Sequence, residues 1–359
     1  MIFKHKRESN KNISKFILIL FIFSNTFLLS NLYANTFQIK EIEVSEDFNL
    51  NFNKEKVFDK AFESAFSQLI STVLISRDIK KIEKTKLSTI KSLIDSFIVS
   101  DEQFFESKYF AKFNVNFNKK NTYDYLESKN VFPSIPKKVD LLLLPILIDS
   151  KTNKLVYFGE NPIYKIWNTQ NEKSHLINYI LPSEDIEDTK IFNNNVNSIE
   201  EYDFKKIVNK YDLKNYIILI LYQNEKNINI LSKLYLNQNY KIINNTYKDI
   251  DLKNDKAISR FIIGLKKNYE DEWKKLNLIN TSIQLPITIS LLSKDYDKIK
   301  LFEQTLEDLD LVSNFMVLSF NKKDTFYKVI YNGSPDKFFK DINNSGLKLE
   351  KNDQIWKVK

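Results

Sequence analysis

The residues with the widest chemical reach fall between Gly159 and Asp188. One set is acidic: Glu184, Asp185, Glu187 and Asp188 follow Leu181-Pro182. Clustered carboxylates can bind a hard cation or serve as the paired acid and base of glycoside hydrolysis. The spacing fits no calcium loop, however, and acidic side chains also favour exposed connections and first helical turns, where they meet unpaired N–H groups. The second set is aromatic: Phe158, Tyr164 and Trp167 flank the turn Gly159-Glu160-Asn161-Pro162. Rings beside a rigid turn can stack on a sugar or clamp a peptide. The competing and expected role is to plug the core beneath the turn. Candidate ligand or partner contacts are therefore Phe158, Asn161, Pro162, Tyr164, Trp167, Asp185 and Asp188.

Counting residue types narrows the rest. The chain has no cysteine and two histidines, of which only His175 lies beyond the leader. Disulfides, thiolate metal sites, an N-terminal lipidated cysteine and histidine-rich zinc centres are excluded. A Ser-His-Asp arrangement would need His175, which follows a polar stretch and has no nucleophile elbow to serve; it is expected in a solvated loop. The four glycines, Gly159, Gly264, Gly333 and Gly346, cannot build a phosphate loop or a dinucleotide fingerprint. No catalytic residue, cofactor or metal ligand is assigned. The expectation is a non-enzymatic binding or scaffolding protein of the cell envelope, whose partner is another envelope protein or a polymer. A carboxylate-dependent hydrolase acting on an envelope glycan through Asp185, Glu187 or Asp188 is the alternative.

The net charge of +8 does not signal nucleic acid. Arg7, Arg77 and Arg260 are the only arginines, and the lysines are interspersed with acids. Lysine, asparagine, isoleucine and phenylalanine are abundant together, a profile of AT-rich coding. About half the excess charge sits in the leader, as Lys4, Lys6, Arg7, Lys11 and Lys15 against Glu8, and the remainder is ordinary for solubility.

Residues 1–34 have the parts of a secretory signal: the basic start, the apolar segment Phe16 to Leu29, and the exit Leu32-Tyr33-Ala34. A periplasmic location is expected. Leu32 is larger than the residue usual there, so an inner-membrane anchor from an uncleaved leader is the alternative. Tyr216 to Tyr222 and Leu141 to Ile148 are too short to span a bilayer and read as buried strands.

With 43% hydrophobic and 14% aromatic residues, 359 residues suffice for several cores. The spacing predicts an α+β (mixed α/β) chain of three small sheet-and-helix units, covering residues 35–132, 138–280 and 281–359. In the first, Lys54 to Leu74 carries apolar residues three and four apart, a helix that Asn53 can cap. It should cover strands at Phe37 to Val44 and Tyr109 to Phe117, the latter alternating strictly. A second helix is expected over Lys84 to Ser96, a strand over Phe97 to Phe105, and a short helix over Thr122 to Ser128. Pro133 and Pro136 mark the boundary. The middle unit opens on Val139 to Asp149, apolar enough for burial on both faces. It continues through strands at Leu155 to Phe158, Leu176 to Leu181, Tyr216 to Tyr222, Ile228 to Leu236 and Tyr240 to Tyr247, and closes with a long helix from Ile258 to Leu276. The last unit reads βαββαβ, a ferredoxin-like order that by itself assigns no function.

Several segments together resemble an exported proteobacterial family known as domain of unknown function 2066. They are Ala61 to Leu74, Tyr109 to Phe117 and Leu126; Leu141 to Leu147, Asn161-Pro162 with Trp167, Leu181-Pro182 with Asp185 to Asp188, and Trp273; and Tyr331-Asn332-Gly333, Gly346-Leu347 and Trp356. Members of that family usually have an arginine-rich first helix and a second aromatic where Ile163 stands. The resemblance implies export and no particular activity.

Overall fold

The computed structural model describes residues 37–169, 175–351 and 355–359. The leader, residues 171–174 and Gln354 lie outside them. Thr36–Lys359 form one compact unit built on three sheets. The chain is α+β, as its patterning predicts.

In the first sheet the order is β1 (Gln38–Asp47), β3 (Lys108–Phe117), β2 (Ile94–Phe105), all antiparallel. Helix α1 (Lys54–Val73) covers one face with Val57, Ala61, Phe62, Ala65, Phe66, Leu69, Ile70 and Val73, and Asn53 caps it by accepting from Glu55 N–H. The buried side of β3 is Tyr109, Ala111, Phe113, Val115 and Phe117, so the strict alternation names the covered face. The helix expected over Lys84 to Ser96 is shorter. Helices α2 (Ser76–Ile82) and α3 (Leu87–Leu93) precede β2, which starts at Ile94. Pairing with β3 overrides the helical spacing there, because Ile94, Phe97, Ile98 and Val99 are β-branched or aromatic. Helix α4 (Lys119–Ser128) ends the unit.

The middle sheet runs β5 (Lys154–Val156), β4 (Val139–Asp149), β7 (Tyr216–Asn224), β8 (Asn227–Leu236), β9 (Asn239–Tyr247), with β6 (Ile177–Ile180) also beside β4. Strand β4 is parallel to β6 and β7. Its side chains alternate between two cores, Leu141, Leu143 and Leu147 on one face and Leu142, Leu144, Ile146 and Ile148 on the other. Helices α5 (Pro162–Ile166) and α8 (Asp255–Leu276) contribute to the first of these cores; α6 (Ile186–Asn194) and α7 (Lys205–Val208) contribute to the second. A strand covered on both sides has no room for polar residues, which explains its unbroken apolar run.

The third sheet has the order β11 (Val312–Phe320), β12 (Asp324–Tyr331), β10 (Leu285–Leu292), β14 (Trp356–Val358), β13 (Leu349–Glu350). Strands β10 and β14 are parallel, so the expected split arrangement forms, with β13 added at one edge. Helices α9 (Tyr296–Asp308) and α10 (Pro335–Asn344) pack through Phe302, Leu306, Phe338 and Ile342. Gly346, at φ +88°, follows α10 in the left-handed conformation that suits glycine.

The units are keyed together by polar groups far apart in sequence. Helix α1 has no basic residue in its last turn, and its terminal carbonyls need partners. Lys274 of α8 supplies them, donating to the carbonyls of Ser71 and Leu74, while Asp271 accepts from Ser76 N–H at 2.8 Å and caps α2. At the other end, Lys119 and Tyr123 of α4 donate to the carbonyls of Leu309 and Asp310. One continuous apolar core joins the first and third sheets. Among the described residues, no helix is long and apolar enough to cross a membrane.

Candidate functional site

The turn before α5 is built by a strand defect. Pro145, in the middle of β4, has no N–H to give. In an extended strand the N and C=O of one residue point to the same edge. Here that edge falls between β6, which pairs as far as Leu142, and β5, which begins opposite Leu147. Asn161 fills the gap: fully buried, it donates from Nδ2 to the Pro145 carbonyl at 3.1 Å, and its Oδ1 accepts from Ile163 N–H at 2.9 Å. Pro162 then occupies the first helical position, where a missing N–H costs nothing.

The aromatic set does not converge. Phe158 is buried in one core of the middle sheet and Trp167 in the other, so β4 separates them. Tyr164 lies on the Phe158 side, its ring at 6.1 Å from Phe158, and donates to the Pro182 carbonyl at 2.7 Å. Trp167 packs on Tyr179 and Tyr269. Among the described residues its indole N–H has no partner, and its contribution here is the packing of its ring.

The acidic set forms a lock. Asp185 caps α6, accepting from the N–H groups of Glu187 and Asp188. Asp188 is wholly buried. Lys210 bridges the two carboxylates, at 2.9 Å from Asp185 and 2.7 Å from Asp188. The hydrogen bond from Lys210, with the cap, holds the Asp185 carboxyl below its ordinary range, and the hydrogen bonds to Asp188 and then Asp185 push the Lys210 ammonium up. A general acid needs its carboxyl pushed the other way. Among the described residues, no group of three or more His, Asp or Glu side chains could hold a metal ion.

His175 differs from its solvated expectation. It is half-buried, with Nδ1 at 3.5 Å from Glu270 Oε1. That buried carboxylate accepts from the N–H groups of Leu176 and Ile177 and fixes the start of β6. A cavity of about 410 Å³ opens beside it, bordered by Asp140, Asn168, His175, Tyr179 and Lys266.

Patterning also misses a surface on the first sheet. Between α1, α3 and β2 runs a groove of about 660 Å³. Phe97 of β2 stands over Phe58 and Phe62 of α1 at 5.6 and 5.0 Å between ring centres. It remains 40% exposed, an aromatic with one face covered and one open. Asp59 pairs with Lys91 at 2.6 Å on the rim. Farther along, Lys54 pairs with Glu102 at 2.7 Å, which lowers the Glu102 carboxyl. The available signal was β2 itself, which carries apolar residues on both faces: Phe97, Val99 and Phe104 toward α1, Ile98 and Phe105 away.

No protein-family model matches the chain, and no curated protein is significantly similar to it.

Proposed function

We propose that this chain is an exported, non-enzymatic binding protein of the cell envelope that engages another envelope component through the open side of its first sheet. The observation that carries the reading is a contrast in how side chains are employed. The residues best suited to chemistry, Asp185, Asp188, Asn161 and Glu270, are bound into caps, ion pairs and backbone contacts. Large apolar side chains, by contrast, stay exposed along β2: Phe97, Ile98, Phe104 and Phe105. Exposed apolar surface of this extent on a folded chain commonly marks a contact surface. The leader pattern supports export, and the resemblance to the exported family supports the same compartment. Interspersed lysines with few arginines favour a protein or polymer partner over nucleic acid.

Two measurements test this. Fractionation should place the protein in the periplasmic extract, and in-cell crosslinking should return a reproducible co-purifying envelope component. A cytoplasmic location, or crosslinked fractions with no repeatable partner, would remove the reading.

A further inference from the structure

The two edges of the first sheet differ in their charge pattern. The β1 edge is blunted: its register shifts between Ile39 and Ile42 with Glu41 at φ 56°, and Lys40, Glu41, Glu43, Glu46 and Asp47 charge the strand. Bulges and charges of this kind discourage a further strand from pairing. The β2 edge also shifts register, between Ile94 and Ser96 and between Val99 and Asp101, but it has neither lysine nor proline over its twelve residues, its charges are all acidic (Asp95, Asp101 and Glu102), and Ser96 to Val99 pair in regular register. Among the described residues, strand β2 pairs only with β3. Alternate residues of an antiparallel edge strand turn their N–H and C=O groups outward. Unpaired backbone groups of the regular stretch Ser96 to Val99 therefore border the groove between β2 and α1.

We propose that this groove binds an extended peptide segment as a fourth strand on β2. Side chains of a strand alternate in direction, with about 6.6 to 6.8 Å between residues on one side. Apolar side chains at alternate positions would then meet Phe58, Phe62 and Phe97, and a lysine or arginine would meet the rim. The rim specifies that charge. Asp59 is neutralised by Lys91, whereas Glu55 and Asp95 border the groove with no ion pair among the described residues. A second copy of this chain is disfavoured as occupant, because β2 pairing with itself would set Asp95, Asp101 and Glu102 against acidic strands. The protein's net positive charge gives a basic peptide no general attraction, so preference for one must come from the rim. This inference rests on the proposed binding role and names the class of partner.

The test titrates the purified protein with a labelled, end-blocked octapeptide of alternating valine and lysine, followed by fluorescence anisotropy. Saturable binding is expected, about ten-fold weaker when glutamate replaces lysine, and lost when alternate amides are N-methylated so that no ladder forms. The double variant Glu55→Lys/Asp95→Lys should reverse the preference between the two peptides. Phe97→Ser should abolish binding while the protein still unfolds in one cooperative transition, and Phe97→Leu should restore most of it. No saturation at about 1 mM, equal binding of both peptides, or an unreversed preference in the charge variant would overturn the proposal. A dimer in sedimentation that Phe97→Lys dissolves would also overturn it, in favour of a second copy. If the peptides fail while crosslinking still returns a partner, this inference falls and the binding role stands; if crosslinking returns none, the role itself falls.

Discussion

The middle and first sheets differ in what their surroundings leave free. Strands β4 and β7 at the centre of the middle sheet are covered on both faces, and three buried polar side chains around them have partners within the chain: Asn161 with Pro145, Asp188 with Lys210, Glu270 with the start of β6. The first sheet has α1 on one face only, an open β2 edge, and aromatic rings half in contact and half in water. A list of reactive residue types points to the middle sheet; exposure and unpaired backbone point to the first, and to the β11 edge of the third, where Met316, Val317, Leu318 and Phe320 are exposed. The lesson is that carboxylates and aromatics close in sequence count as a site only when their partners are not already other parts of the fold.

That comparison breaks first at Lys210. Lys210→Met leaves the Asp188 carboxylate buried without its cation and should destabilise the protein by about 3 to 5 kcal/mol in urea unfolding. If the acidic set were a working site, the same change would alter an activity and leave stability nearly intact. Next is Asn161→Ala, which removes a helix cap and uncovers the buried Pro145 carbonyl; about 2 to 3 kcal/mol should be lost. On the first sheet, Phe97→Ser should cost only about 1 to 2 kcal/mol, since one ring face is already in water. A large loss there would make Phe97 a core residue and erase the distinction.

How much of this was legible depends on the range of the contacts. Signals carried by neighbours survived: Asn53 before α1, the alternation of β3, the apolar run of β4. Contacts between distant residues left no trace in spacing. Lys274 serves α1 from 200 residues away, Glu270 reaches Leu176 across 94, and Lys210 reaches Asp188 across 22. His175 read as a loop residue because Glu270 is remote. The start of β2 read as helix because Ile90, Leu93 and Ile94 keep helical spacing, and only β3 decides otherwise. The groove was hidden for the same reason: its two walls, α1 and β2, meet only in the folded chain.

The anchored end of the first unit gives a sharper, pH-dependent contrast with its open side. Lys119 donates to the Leu309 carbonyl in a buried setting where Asp308, Asp310 and Tyr123 are its polar neighbours, and burial pushes its ammonium down to about 8. A lysine depressed in the folded state penalises folding fully below that value and progressively less as pH rises toward its ordinary range. Stability should therefore increase between pH 8 and 9.5, by about 2 kcal/mol, before tyrosine ionisation intervenes. Lys119→Met should flatten that rise. A parent protein whose unfolding free energy is level or falling across this window would show that water reaches the Lys119 ammonium.

The smallest expected effect concerns turns in both sheets. With so few glycines, tight connections force other residues to positive φ: Asn237 and Gln238 between β8 and β9, at 48° and 66°, and Glu106 between β2 and β3, at 54°. The left-handed conformation costs an ordinary side chain about 1 to 2 kcal/mol, against about 0.5 to 1 kcal/mol of extra chain entropy for glycine. Gln238→Gly and Glu106→Gly should each raise stability by about 0.5 to 1 kcal/mol. Equal gains would make the strain a local property of turns, independent of how well each sheet is covered. A gain at Gln238 with a loss at Glu106 would mean that the β2–β3 hairpin relies on its turn side chain for rigidity, and the open edge of β2 would then be held in shape from its tip rather than by its packing on α1.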